Sequence, residues 1–521
     1  MLFFTSCGSS LPEFRSEGNA IVAIEKSQTT SNPAESEDDT FKGSVYTVEE
    51  MYDINLNHIG FLAEEEKLAI VTNDNGGDTF RIVDDTGITW YTGNLSEENG
   101  VSLQEEMIRY ADFSDFREEG TYYVMCGEEV ASSSFSIQSN LYDDSIAILI
   151  ESFYMNQCGI EVHSTLYTDY ARKSCHSGFA TVYGTNEKLD VTGGWHESSD
   201  VGRYVVPSAV SVGHLLMLYE GILNEEAQSN RVILSAKDKN GVFEAIKYEL
   251  DWLMKMQDEK TGGVYHKVTA ISPTTKDGGE ELYVFDISTT ATADFAAIMA
   301  MSSQVFANID GKYAANCLEA AQDAWKYLKS HQENEKFVNP TGVTTKEYAD
   351  DTDLDERYWA AAQLYKATKE STYLKFINNH FDQLKEIDFG WENVSGFGHI
   401  SLLSSLEEEN ELLIEIRKEI ESTANNYVEQ MESNDYFVVD EDSDNLSIAS
   451  KGLQLLVAYQ TTNNDSYWKA ACRYRNYLLG ANRESMNALD YVLHEENSSA
   501  IELNATLLHL IVNCNLFHNV E

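Results

Sequence analysis

Residues 190–216 read DVTGGWHESSDVGRYVVPSAVSVGHLL, and the reading of the whole chain turns on them. Two glycines and a tryptophan, Gly193-Gly194-Trp195, lead into a short acidic turn, Glu197-Ser198-Ser199-Asp200. An apolar run with helical spacing follows, so the turn is expected at the mouth of a helix. There the backbone N–H groups are unpaired and the end of the dipole is positive, which holds carboxylates ionised. Two acids three residues apart, beside an aromatic ring able to stack on a sugar, suit a site that orients and deprotonates a water. The competing reading makes Asp200 a helix cap with no chemistry.

Outward from this stretch, composition excludes more than it assigns. The chain has 521 residues, with Lys+Arg 36 against Asp+Glu 87 and a net charge of -51. Such a surface repels phosphate backbones and anionic lipid headgroups, so nucleic acid is not an expected partner. Apolar residues at 42% and aromatics at 11% are ample for large cores, and the length fits roughly two to four domains. Cysteines at 7, 126, 158, 175, 317, 472 and 514 form neither a disulfide framework nor a CxxC word, so most are expected as buried thiols. No run of eighteen apolar residues occurs, and no membrane-spanning helix is expected.

The N-terminal MLFFTSCGSS looks like the end of a bacterial lipoprotein signal, with Phe4-Thr5-Ser6 ahead of a Cys7 that would carry the lipid anchor. Only six residues precede Cys7, short of a full signal. Residues 1–50 are therefore expected to be a signal remnant and an acidic tether, in a secreted or cell-surface lipoprotein of a bacterium. Residues 51–140 change character. From Asn55 to about Gln138 the segments HIGFLA, KLAIVT, TFRIVDD, ITWYTG, MIRYADFS, GTYYVMC and SSFSIQ alternate with turn residues. Strands this short and this regularly spaced predict an antiparallel β-sandwich of immunoglobulin type. Residues 141–521 then carry helical periodicity, in segments beginning near residues 143, 204, 242, 286, 311, 353, 370, 395, 409, 444, 464 and 499. Their number predicts an all-α (α/α)6 barrel. A helical superhelix of repeats is the alternative, against which no fixed period of about thirty to fifty residues recurs.

Several long words support a resemblance: HIGFL and GTYYV; CHSG and the stretch quoted above; ELDWLMKMQDEKTGGVYHKVT; FDISTTATADFAAIMAMSSQVF; DLDERYWAAAQLYKAT; NYLLGAN. In this order they resemble glycoside hydrolase family 9, the inverting β-1,4-glucanases, and within it the members with an N-terminal immunoglobulin-like domain. The resemblance implies that Asp200 matches the general base. The family turn reads Asp-Ala-Gly-Asp, so Glu197 replaces the acid that helps hold the attacking water, with a side chain one methylene longer. It also implies a structural zinc on Cys158, Cys175, His176 and His196, a closed set of two thiolates and two imidazoles. The ion would pin the catalytic loop to the first barrel helix. Trp195, His266 and Tyr348 fall in words that line the family's glucan cleft, ordinary loop packing being the other reading. The acidic run from Asp350 to Glu356 offers hard oxygen donors for calcium, although acids before a helix also have a dipole reason to be there.

One part of the pattern fails. An inverting glycosidase needs a second carboxylic acid about 6.5–9.5 Å from the base. Aligning Asn504-Ala505 puts Ser498 where that acid stands in the family, and a long sugar-binding loop ahead of it is missing. Glu496, with Glu495 beside it, is the nearest substitute, unless both are solvated loop acids. The expected function is inverting hydrolysis of a β-1,4-glucan polysaccharide or oligosaccharide by a monomer, weakened at the acid position. The alternative is a catalytically inactive, surface glycan-binding protein on the same barrel.

Overall fold

The computed structural model describes residues 54–72, 77–97, 108–127, 130–163, 171–197, 201–229, 231–273, 280–407, 410–493 and 500–517. Its first part is built from nine short strands: β1 (Ile54–Asn55), β2 (Gly60–Phe61), β3 (Leu68–Thr72), β4 (Thr79–Val83), β5 (Thr89–Asn94), β6 (Ile108–Asp112), β7 (Gly120–Cys126), β8 (Val130–Ala131) and β9 (Phe135–Ile137). One sheet has the order β1-β3-β6, the other β2-β9-β7-β4-β5 with β8 added to β7. Alternation along the strands sends Phe61, Phe80, Phe113, Tyr122 and Phe135 into the space between the sheets. Their rings meet edge to face or tilted, as Phe61 and Phe113 do at 5.5 Å and 90°. The seven expected strands are all present as β2 to β7 and β9, so the immunoglobulin-like reading holds.

The helical part follows with α1 (Asp143–Met155), α2 (Val205–Ser229), α3 (Ala236–Leu253), α4 (Thr289–Val305), α5 (Gly311–Ser330), α6 (Leu354–Thr368), α7 (Ser371–His380), α8 (Ser395–Leu403), α9 (Glu411–Met431), α10 (Asn445–Thr462), α11 (Asp465–Leu478), α12 (Ala488–Leu493) and α13 (Ile501–Phe517). All but the short α12 start close to a predicted segment. Helices α2, α4, α6, α8, α10 and α13 form the inner ring, with α13 packed on both α2 and α10 to close it. Sequence explains which helices go inside. In α4 every residue from Thr289 to Ser303 is buried, because small and apolar side chains cover all its faces. In the outer α5 only a stripe is buried, with Ala314, Cys317, Ala321, Ala324 and Leu328 at helical spacing. Caps set the starts: Asp310 accepts from the N–H groups of Lys312 and Tyr313 before α5, and Asp444 from Ser447 before α10. Helix α2 is long and apolar enough to cross a membrane by composition, yet 78% of its most apolar window is buried against the rest of the fold. The absence of an unbroken apolar run had concealed this; what the composition serves here is the barrel core.

Sandwich and barrel are joined through polar contacts deep in the interface. Arg475 on α11 makes two 2.9 Å bonds to Glu65, with side chains 0% and 2% exposed. The Asn57 amide donates to Tyr142 and Asn476, and the His58 N–H to the Leu479 carbonyl. The six described cysteines are buried and unbridged. The N-termini of α2, α6 and α13 share one end of the barrel, where a sheet of short strands at 180–182, 188–189, 203–204, 267–269 and 283–284 and the loops around it build the site.

Candidate active site and metal cluster

The segment from Val191 to Glu197 is fixed from both sides. Cys158 N–H donates to the Gly194 carbonyl at 2.7 Å, and His196 N–H to the Asn156 carbonyl at 2.8 Å, so the segment is zipped to the chain leaving α1. From beneath, the buried Arg203 donates to the carbonyls of Val191 at 2.5 Å and Gly193 at 2.8 Å. Glycine is required at 194: φ is +80°, and a Cβ there would come within 2.5 Å of the Trp252 ring. Glu197 N–H then bonds the Gly202 carbonyl at 2.8 Å. Strain concentrates here, since His176, Val201 and Tyr348 have φ of 44°, 47° and 44° without being glycine, the β-branched Val201 being the most strained.

The Glu197 carboxyl is 1% exposed. One oxygen faces the Tyr348 hydroxyl at 3.4 Å, and the other accepts from the Ile501 N–H at 3.2 Å, at the start of α13. Tyr348 is held edge-on by Trp391 at 5.4 Å and by Tyr204 at 4.9 Å. Next along α13, Glu502 is buried and accepts the Trp391 N–H at 2.8 Å. Burial, and then the charge of Glu197, raise its carboxyl well above the usual range. Glu249 on α3 is also fully buried, and burial pushes it up to about 8. Neither residue was singled out from sequence. Glu502 stands two positions before Asn504 in a word already aligned, and only its burial distinguishes it. Asp200, Glu495, Glu496 and Ser498 lie outside the described residues.

Two expected cleft residues are placed elsewhere. Trp195 is 0% exposed, its ring against Phe153 at 5.1 Å, so it belongs to the core and does not present a face to a sugar. His266 is 1% exposed, stacked on Phe337 at 4.1 Å and 5°. Its Nε2 donates to the Glu347 carbonyl at 2.6 Å, and its Nδ1 meets the Ser288 hydroxyl at 2.8 Å, so both ring nitrogens are engaged. His266 anchors the backbone beside Tyr348. Both departures have one cause: a glycine-flanked aromatic and a loop histidine are equally able to face inward, and the buried side won.

The four expected metal ligands come together. Cys158, Cys175, His176 and His196 are buried, and their ligand atoms lie within 4.8 Å of one another. The two sulfurs are 3.9 Å apart; Cys158 Sγ is 3.5 Å from His176 Nδ1, and Cys175 Sγ is 3.5 Å from His196 Nε2. A tetrahedral ion with Zn–S of about 2.3 Å and Zn–N of about 2.0 Å spaces sulfurs about 3.8 Å apart and sulfur from nitrogen about 3.5 Å apart, so the donor set fits zinc. The Cys158 hydrogen bond and both imidazoles hold the Cys175 thiol far below its usual range, and Arg172 Nη1 lies 3.2 Å from its sulfur. Among the described residues this is the one group of three or more such side chains whose ligand atoms converge. The acidic run is divided. Asp353 is taken by Arg357 through two 2.9 Å bonds. Asp294 and Glu356 are 0% exposed with all four carboxyl oxygens unpartnered, and Asp355, also buried, accepts the Val394 N–H at 2.9 Å. Burial raises the Asp294 and Glu356 carboxyls well above the usual range.

A sequence profile described as Glycosyl hydrolase family 9 matches residues 142–493, and one described as Cellulase N-terminal ig-like domain matches residues 49–131. A Cellodextrinase of Butyrivibrio fibrisolvens is 32% identical over 461 residues, covering 83% of this chain and 83% of that protein. Endoglucanase D of Acetivibrio thermocellus is 31% identical over 455 residues, covering 82% of this chain and 71% of that protein. Among solved structures, the Zn-binding triple mutant of the GH family 9 endoglucanase J30 superposes with a TM-score of 0.74 at 27% identity, over 82% of this chain and 83% of that one.

Proposed function

Since the chain belongs to glycosyl hydrolase family 9 and is a glycosidase, we propose that it hydrolyses β-1,4-glucan with inversion, from a groove at the barrel end where α2, α6 and α13 begin. The observation that carries this reading is the placement of Glu197, whose buried carboxyl is held between the Tyr348 hydroxyl and the Ile501 N–H. A carboxyl so fixed orients a water, and Asp200, three residues on, takes the proton as that water attacks the anomeric carbon. Tyr348 and Trp391 supply aromatic surface for the sugar. The departing oxygen needs a proton from a second carboxyl. With Ser498 at the usual position, that step falls to Glu496 and turnover is weakened.

Zinc on Cys158, Cys175, His176 and His196 would supply rigidity and no hydrolytic step, since four protein ligands leave no open position for water. Calcium, if bound, would take hard oxygen donors from the acidic run Asp350 to Glu356. We place the protein outside a bacterial cell, anchored through Cys7 and a tether of about 50 residues, acting as a monomer on soluble or surface-bound β-glucan.

Reducing ends released from soluble β-glucan test the reading, with Asp200→Asn as control. Wild type is expected to exceed the control at least a hundredfold, with the α-anomer as first product. Equal rates would remove the hydrolytic assignment. The second reading, a glycan-binding protein without turnover, is favoured by the departures at Glu197 and Ser498 together with the missing sugar-binding loop, and saturable glucan binding with no release above the control would establish it.

A further inference from the structure

At the barrel end opposite Glu197 the helices leave a cavity of about 410 Å³, within the range of small-molecule sites of roughly 300–1,000 Å³. Its walls include the later turns of α2, α6, α10 and α13. About 18 Å of helix separates Ile501, whose N–H meets Glu197, from Asn513 on the cavity wall. The cavity is therefore not an extension of the groove.

Two buried polar side chains in this wall have unused hydrogen-bonding capacity. Asn513 is 8% exposed, and its amide bonds to no described residue. One turn earlier stands His509, 5% exposed, whose proton can be placed by elimination. His214 Nε2 lies 3.1 Å from the Phe389 carbonyl oxygen, which only accepts, so that nitrogen carries the hydrogen. Burial keeps His214 neutral, its pKa lowered to about 3, so its Nδ1 is a bare acceptor. His509 Nδ1, 3.3 Å away, must then donate to it. Burial holds His509 neutral as well, which leaves its Nε2 without a proton. The wall thus offers an acceptor and, one helical turn away, an amide that both donates and accepts.

Leaving such groups without partners inside a protein is unfavourable, so the occupant must hydrogen-bond. On the wall Lys366 Nζ is matched by both oxygens of Glu220 at 3.0 and 3.1 Å. Leu453, Leu456 and Val457 add apolar surface to the wall. Apolar surface together with paired donors and acceptors matches a pyranose, which has a C–H face and an edge of hydroxyls. We propose that this cavity is a second binding site, for a short neutral saccharide, separate from the catalytic groove.

Calorimetric titration with cellobiose tests this on the full-length wild type, on Asn513→Leu and on Val457→Trp, which fills the cavity. Wild type should show a saturable component that N513L weakens at least tenfold and V457W abolishes, with hydrolysis unchanged in both. Because the readout is binding, it does not depend on turnover in the groove. Superimposable isotherms for the three proteins would overturn the proposal. So would crystals soaked in cellobiose that hold only water over Asn513, or displacement of the component by sulfate or acetate.

Discussion

Glu502 separates what a side chain is from where it stands. As a glutamate in the first turn of a helix it reads as a dipole partner, ionised and solvated. Buried beside Glu197 its carboxyl is instead raised well above the usual range, with one oxygen accepting the Trp391 N–H. If its role is to position Trp391, Glu502→Gln keeps the acceptor oxygen, and kcat should change less than about threefold. Glu502→Leu strands the N–H and should cost about 1–3 kcal/mol in urea unfolding. A hundredfold loss of kcat in the glutamine variant would mean that the carboxyl itself takes part in turnover, and the positioning role would be wrong. Trp195 and His266 carry the same lesson in reverse: sequence left a sugar-facing ring and ordinary packing both open, and the fold put both rings inside.

At the scale of elements, the site depends on how one glycine-rich segment is laid between α1 and Trp252. The hydrogen bonds from Cys158 and Arg203 hold its backbone, and the Trp252 ring sets how closely it approaches. Gly194→Ala combines a contact of 2.5 Å with an unfavourable φ of +80°. We expect a loss of stability of about 1–3 kcal/mol and at least a tenfold loss of kcat, because Glu197 is three residues away and small misplacements are costly. Melting temperature and steady-state kinetics of G194A check both. A variant with wild-type kinetics would show that the segment does not set the position of Glu197. The helices were easier to foresee, because a 3.6-residue period survives in the sequence wherever one face is buried, as in α5.

Across the whole molecule, sandwich and barrel share an interface whose partners stand hundreds of residues apart, such as Glu65 with Arg475. His58 lies in it, its Nε2 2.9 Å from the Ser485 hydroxyl, and burial lowers its pKa from 6.5 to about 4. The unfolded chain therefore takes up this proton first as pH falls. Above pH 6.5 both states are neutral and nothing is lost. Between 6.5 and 4 stability drops, by about 3 kcal/mol at the lower end. Urea midpoints measured from pH 7.5 to 4.5 should fall in wild type and fall less steeply in His58→Gln. Parallel curves would show that His58 is not buried neutral. The other buried histidines, such as His214 and His399, titrate in the same window but are common to both proteins and cancel in the comparison.

Period, turn chemistry and long matching words determined the class of each domain, the order of the helices and the four Cys and His side chains that converge. These are properties of neighbours along the chain, or of residue types too specific to coincide by chance. Tertiary structure alone decided that Trp195 and His266 face inward, that the Glu502 carboxyl is raised by burial, that Arg475 is neutralised by Glu65, and that His509 and Asn513 meet a cavity at the far end of the barrel. Each of these depends on which distant segment excludes water from a given atom. Water exclusion belongs to the packed whole, and no local pattern encodes it.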